Sequence, residues 1–189
     1  MSGSPRRLIG LVGPPGVGKS TMAARLADED PSAAALPMDG FHLPQSRLVE
    51  LGRRERMGAP DTFDVAAFSA VLAALRADDA PVTAPGFDRT VEEPVAGTIA
   101  IGRGIRTIYV EGNYLLHDAD GWQAIAPLLD ETWYLELDDE LRRERLIARH
   151  VRSGKTPDAA AAWVRDVDEP NARLISRGAE RATRRLAVD

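Results

Sequence analysis

Short runs of consecutive apolar residues alternate along this chain with longer stretches in which apolar positions recur every three or four residues. Residues 8–12, 34–38, 107–110 and 132–137 are of the first kind, and such runs predict strands, 107–110 being the interior strand with the plainest pattern. Residues 19–28, 65–77, 139–152, 157–167 and 171–176 are of the second kind and predict helices, with Pro157 suited to a first helical position. A further helix is expected near 122–129. The alternation of strand and helix predicts an α/β fold built on a parallel sheet covered on both faces. Two stretches break the pattern. Residues 42–60 are polar and arginine-bearing and read as a helix or flap, while 81–95 are rich in Pro, Gly and charge and read as a loop or small hairpin over the surface. There is no internal repeat, and the one biased patch, 159–162, is alanine, a good helix former.

Length and composition narrow the classes open to such a chain. With 189 residues it is long enough for one domain with a substantial core and too short for a mechanical ATPase with appended domains. The absence of cysteine excludes disulfides, thiolate metal sites and cysteine catalysis. A net charge of −5 argues against a nucleic-acid binder that tracks phosphates. No long apolar segment follows Arg6 and Arg7, so neither a signal peptide nor a membrane span is expected, and a cytoplasmic location is. A homodimer is compatible with the sequence but not specified by it.

The chemistry is concentrated where the first strand meets the first helix. Gly13-Pro14-Pro15-Gly16-Val17-Gly18-Lys19-Ser20, followed by Thr21, matches the phosphate-binding loop G-x-x-x-x-G-K-[ST] in its proper setting. Its glycines let successive backbone N–H groups turn inward around a phosphate, Lys19 can reach the terminal phosphates, and the Ser20 hydroxyl can take a divalent ion. The helix that begins there adds its positive dipole end. An ordinary glycine-rich turn explains neither the spacing nor the lysine, because the chain has only Lys19 and Lys155 against 22 arginines.

Ligands of open α/β sheets sit beyond the carboxyl ends of the strands, which singles out two acids. Asp39, in Met38-Asp39-Gly40-Phe41-His42, is placed either to accept the proton of an attacking hydroxyl or to form an Asp-Gly turn. Glu111 ends an apolar strand beside Gly112 and is expected to hold a divalent ion together with Ser20. Arg142, Arg145, Arg149 and Arg152, spaced by three, four and three, fall on one face of a helix. They form either a lid that neutralises a transferring phosphoryl group or a solvated face pairing with Asp138 and Asp139. His42, Arg89 with Asp88, Asn113 and Tyr114 are candidates to contact an acceptor. Arg53, Arg54 and Arg56 form a basic cluster that would suit a phosphorylated or carboxylated one, or else surface charge. Phe41, Phe63 and Trp163 are expected in the core.

Taken in order, residues 13–21, Asp39-Gly-Phe-His42, Pro60-Asp-Thr-Phe-Asp64, Pro85-Gly-Phe-Asp-Arg89, Glu111-Gly112 and the arginine helix resemble the uridine kinase, phosphoribulokinase and bacterial pantothenate kinase group of P-loop kinases, over residues 7–175. The resemblance implies a three-layer α/β/α sandwich on a sheet of about five parallel strands, with ATP and Mg2+ as cosubstrates and transfer of the γ-phosphate to a small-molecule alcohol. It also implies Asp39 as base, Glu111 as metal partner, and Arg145 or Arg149 as closing-lid residues. The whole chain then forms one kinase domain, with lid and acceptor insertions near 40–64, 81–98 and 142–160. Nucleoside kinases of the group carry a sugar-binding carboxylate where this chain has Gly58, and a histidine where it has Glu92. Residues 111–116 and 168–171 look instead like the branch described as uridine-kinase-like or sugar-transport-associated. The acceptor is therefore expected to be a nucleoside, sugar or pantothenate-like alcohol. A nucleoside monophosphate bound at residues 53–56 and a non-catalytic ATP-binding regulator are the alternatives. A guanine-nucleotide switch is disfavoured, because neither lysine stands in an N/T-K-x-D motif.

Overall fold

The computed structural model describes residues 5–77 and 80–189. Five strands form one parallel sheet in the order β2-β5-β1-β6-β7: β1 Arg7–Val12, β2 Ala33–Pro37, β5 Thr107–Gly112, β6 Glu131–Glu136 and β7 Arg184–Ala187. A separate antiparallel pair, β3 Val82–Asp88 and β4 Glu93–Ile101, makes a hairpin. The helices are α1 Lys19–Glu29, α2 Gln45–Glu50, α3 Val65–Ala77, α4 Asp139–Arg152, α5 Pro157–Trp163 and α6 Glu169–Ser176. Among the described residues no helix is long and apolar enough to cross a membrane.

The continuous apolar run of β1 is explained by burial on both faces. Leu8 and Val12 point into the larger core, with Leu36, Ile108, Val110, Phe68, Leu72 and Trp122. Ile9 and Leu11 point the other way, onto Ala23 of α1 with Met22 and Leu26 at its edge. Two cores on opposite sides of one sheet make the three layers that the alternating pattern anticipates.

The structure departs from the sequence pattern in four places. Residues 122–129 are two 3-10 turns, Trp122–Ala124 and Ala126–Leu128, because Pro127 has no N–H to carry an α-helix through. Residues 157–167 are not one helix: α5 ends at Trp163, a π-helical turn spans Val164–Asp168, and α6 begins at Glu169, two residues before the expected 171. The hairpin extends to Ile101, well past residue 95. Strand β7 has no apolar run to announce it, and its arginines blunt an exposed sheet edge.

The element that most affects the site is the 3-10 turn Met38–Phe41, which follows β2 and carries Asp39. A Cβ on Gly40 would lie 2.0 Å from the Pro85 carbonyl oxygen and 2.6 Å from its carbon, so the hairpin backbone rests directly on this turn. Gly40 therefore sets the distance between Asp39 and the hairpin that carries Arg89. Gly40→Ala must push the two backbones apart, and overpacking of this kind costs about 1–3 kcal/mol. Urea unfolding is expected to show a lower midpoint with an unchanged slope.

Candidate active site

The phosphate loop runs from the end of β1 into α1, and its shape depends on contact with α4. A Cβ on Gly16 (φ 84°) would meet Leu146 Cγ at 2.7 Å and the Arg142 carbonyl at 3.0 Å, so glycine is needed both for the left-handed backbone and for the approach of α4. The Arg142 side chain is 1% exposed and pairs with Asp139 and Glu169, while its Nη1 also donates to the Pro15 carbonyl at 3.4 Å. Asp138 caps α4, accepting from the backbone N–H groups of Glu140 and Leu141. The arginine helix is thus anchored to the loop at its first turn.

Inside the loop, Lys19 Nζ donates to the carbonyls of Gly13 at 2.7 Å and Pro14 at 3.1 Å. Burial lowers its pKa to about 8, against the pull of Glu111 and Asp39 toward the charged form. The Ser20 hydroxyl donates to Glu111 Oε1 at 2.9 Å. Glu111 closes β5 next to β1 and β2, and burial, with Asp39 nearby, raises its pKa. A hydroxyl and a buried carboxylate beside a backbone phosphate cradle are hard oxygen donors that fit Mg2+.

Asp39 Oδ2 accepts from Arg89 Nη2 of the hairpin at 2.8 Å. Its backbone carbonyl accepts from His42 twice, from the backbone N–H at 3.2 Å and from Nδ1–H at 2.7 Å. The His42 ring lies between Phe63 and Phe87, with centroids 4.0 and 4.8 Å away, and burial holds its pKa below the ordinary value.

Lys19, Ser20, Glu111, Asp39 and Arg89 face one cleft of about 880 Å³. One wall is the phosphate loop from Pro15, with Gly16, Gly18, Lys19, Ser20 and Thr21. The floor holds Asp39, Glu111 and Asn113; the hairpin contributes Phe87, Arg89, Thr90 and Glu92. The lid side holds Arg145, Arg149, His150, Arg152, Lys155 and Trp163. A smaller recess of about 330 Å³ continues past Gly18 and Thr21 to Arg25, Arg145 and Val188.

Several expected contacts are placed elsewhere. Tyr114 is fully buried against Phe63 and Trp122, and its hydroxyl donates to the Gly58 carbonyl at 2.6 Å, so it supports the flap and does not face an acceptor. His42 lies behind Asp39 and not on the cleft wall. Arg142 lies beneath its helix and leaves the stripe. Arg53 and Arg56 pair with Asp61, and Arg54 with Glu92, which removes the basic cluster as a phosphate site. Asp88 accepts from the backbone and hydroxyl of Thr90 instead of pairing with Arg89. Trp163 is 37% exposed at the cleft rim and not in the core. The rim residues His150, Lys155 and Trp163 were missed, although Lys155 had a signal: it is one of two lysines, and both line this cleft.

No family model matches the chain. It is 41% identical over 133 residues, 66% of its length and 77% of the relative's, to "ATP-dependent kinase-like protein notR'" of Aspergillus versicolor. It is 34% identical over 160 residues, 79% of its length and 68% of the relative's, to "Putative uridine kinase C227.14" of Schizosaccharomyces pombe. The crystal structure of a "putative fructose transport system kinase" from Silicibacter sp. TM1040 matches with a TM-score of 0.90 at 36% identity, over 97% of this chain and 91% of that one. A phosphate loop at the head of a five-stranded parallel sheet, in a chain with these relatives, defines a P-loop kinase that uses ATP. The chain belongs to the uridine-kinase-like family of these enzymes.

The low pKa of Lys19 has a measurable consequence. Between about pH 8 and 10.5 the folded, ligand-free protein has released this proton while the unfolded chain keeps it, so the Lys19 contribution to stability rises with pH across that window. Phosphate binding requires the ammonium and runs the opposite way. Calorimetric titration of ATP in two buffers of different ionisation enthalpy is expected to show uptake of about three-quarters of a proton at pH 8.5, about a tenth at pH 7, and none from this group in Lys19→Met.

Proposed function

We propose that this protein transfers the γ-phosphate of Mg–ATP to a hydroxyl of a small polar metabolite, with Asp39 as general base. The observation that carries the reading is the sharing of one cleft by the Lys19–Ser20–Glu111 cluster and the Asp39–Arg89 pair. The triphosphate lies against the backbone of residues 13–21, and its base end enters the recess between Arg25, Arg145 and Val188. Ser20 and Glu111 would hold the divalent ion, which would supply neutralisation of phosphate charge.

Arg89 orients the Asp39 carboxylate through Oδ2 and leaves Oδ1 for the acceptor. The acceptor oxygen bonds to the γ-phosphorus, the bond to the β-phosphate oxygen breaks, ADP leaves, and the hydroxyl proton passes to Asp39. His42, neutral and wedged between two aromatic rings, holds the Asp39 backbone in place. The two lid arginines divide their tasks. Arg145 borders the nucleotide recess, whereas Arg149 interacts electrostatically with Lys19, Asp39 and Arg89 and is assigned to the transferring group.

Asp39→Asn is expected to lower turnover by about a hundredfold, the scale of positioned proton transfer, while ATP affinity by calorimetry stays within twofold. Lys19→Ala is expected to abolish turnover. ATP-dependent ADP release across a panel of nucleosides, pantothenate, sugars and nucleotides identifies the acceptor. Unchanged turnover in Asp39→Asn would overturn the base assignment, and no ADP release from any member would favour an ATP-binding regulator with a kinase fold.

A further inference from the structure

The cleft carries more cationic than acidic side chains. Its walls carry Asp39, Glu92 and Glu111 against Lys19, Arg89, Arg145, Arg149, Arg152 and Lys155. Two of the acids are already engaged by arginines, Asp39 by Arg89 and Glu92 by Arg54. Among the described residues no carboxylate lies within ion-pair distance of Arg145, Arg149, Arg152 or Lys155, although Asp168 and Asp39 act on Arg149 from further away. Lys19, Arg145 and Arg149 have tasks at the nucleotide and at the transferring phosphoryl group. Arg152 and Lys155 have none.

Their position separates them from the donor half. Arg152 is seven residues beyond Arg145 on α4, about 10 Å further along the helix axis. Basic residues in the last turn of a helix offset its dipole, and that accounts for Arg152 in part. It does not account for Lys155, which follows the helix and sets its ammonium 4.4 Å from the centroid of the Trp163 ring, inside the same cleft. The indole face attracts this ammonium and holds it at the cleft. His150, hydrogen-bonded to Asp168 at 2.8 Å and 6.2 Å from Trp163 between ring centroids, ties the two lid helices together around this corner. The chain uses arginine 22 times and lysine twice, and both lysines are in this cleft: one in the phosphate loop, the other just past the end of α4.

We propose that the acceptor is an anionic alcohol, carrying a phosphate or carboxylate group, and that Arg152 and Lys155 hold that oxyanion at the lid end of the cleft while its hydroxyl faces Asp39. This rests on the kinase reading and specifies the class of substrate within it.

The test separates the two readings. The full-length protein is first titrated with Mg2+ and a non-hydrolysable ATP analogue, so that the donor half is filled. Inorganic phosphate, acetate and glycerol are then titrated into the loaded protein, with heat and tryptophan fluorescence as readouts. The oxyanions are expected to bind and glycerol not to. Arg152→Ala and Lys155→Ala should each weaken that binding tenfold or more while leaving analogue affinity within twofold. Trp163→Phe should lose most of the fluorescence response and keep the heat. Preference for phosphate identifies a phosphorylated alcohol, and binding of acetate at least as well identifies a carboxylated one. Absence of oxyanion binding, binding unchanged in both variants, or an equal fall in analogue affinity would overturn the proposal, the last by assigning both cations to the nucleotide. A protein that does not take up the analogue at all would sink the kinase reading itself, and that result is read before any anion is added.

Discussion

The buried guanidinium of Arg142 holds together the two halves of the machinery. It reaches Glu169 at the start of α6, Asp139 on its own helix and the Pro15 carbonyl of the phosphate loop. Removing an arginine from water is costly, and removing one partner of a buried ion pair typically costs about 3–5 kcal/mol. The three acceptors therefore have to stay where they are, and with them stay the loop, the arginine helix and the start of α6. Gly16 makes the same junction possible sterically, because any side chain there would collide with Leu146. Asp168, next to Glu169, fastens the far end of α4 through His150, so one acidic dipeptide anchors the arginine helix at both ends.

Around that junction the electrostatics of the cleft follow from burial. Lys19 and Glu111 both sit in poorly hydrated positions, and burial pushes their pKa values in opposite directions, each toward its neutral form. A phosphate at Lys19 and a divalent ion at Glu111, as proposed for Mg–ATP, would each favour the charged form that burial disfavours. On the acceptor side, the hairpin delivers Arg89 to Asp39 because Gly40 lets the two backbones touch. Gly40 and the aromatic rings around His42 thus hold Asp39 and Arg89 at the cleft.

Strands residues 8–12 and 107–110 were legible because a strand buried on both faces has to be apolar throughout. The phosphate loop was legible because its function constrains the backbone itself, so spacing and glycine positions carry the signal. Edge strand β7 left no such trace, since a solvent-facing edge tolerates arginine. Trp163 was misplaced for a related reason: hydrophobicity reports affinity for an apolar surface, and a half-exposed indole under a lysine satisfies that as well as a core does. The helical spacing of Arg142, Arg145, Arg149 and Arg152 was correct as geometry, yet it could not tell the buried arginine from the three that line the cleft.

By itself the sequence determined a parallel α/β sheet headed by a phosphate-binding loop, with acids at the ends of two neighbouring strands, because these are local patterns that the backbone obeys wherever it folds. Only the tertiary structure decided which polar groups remain available. Ion pairing with Asp61 and Glu92 removed Arg53, Arg54 and Arg56 from the site, and a hydrogen bond to Gly58 removed Tyr114. Packing of α4 against α5 added Lys155 and Trp163. Partners far apart in sequence compete for each charge, and which of them wins depends on distances that no local pattern contains.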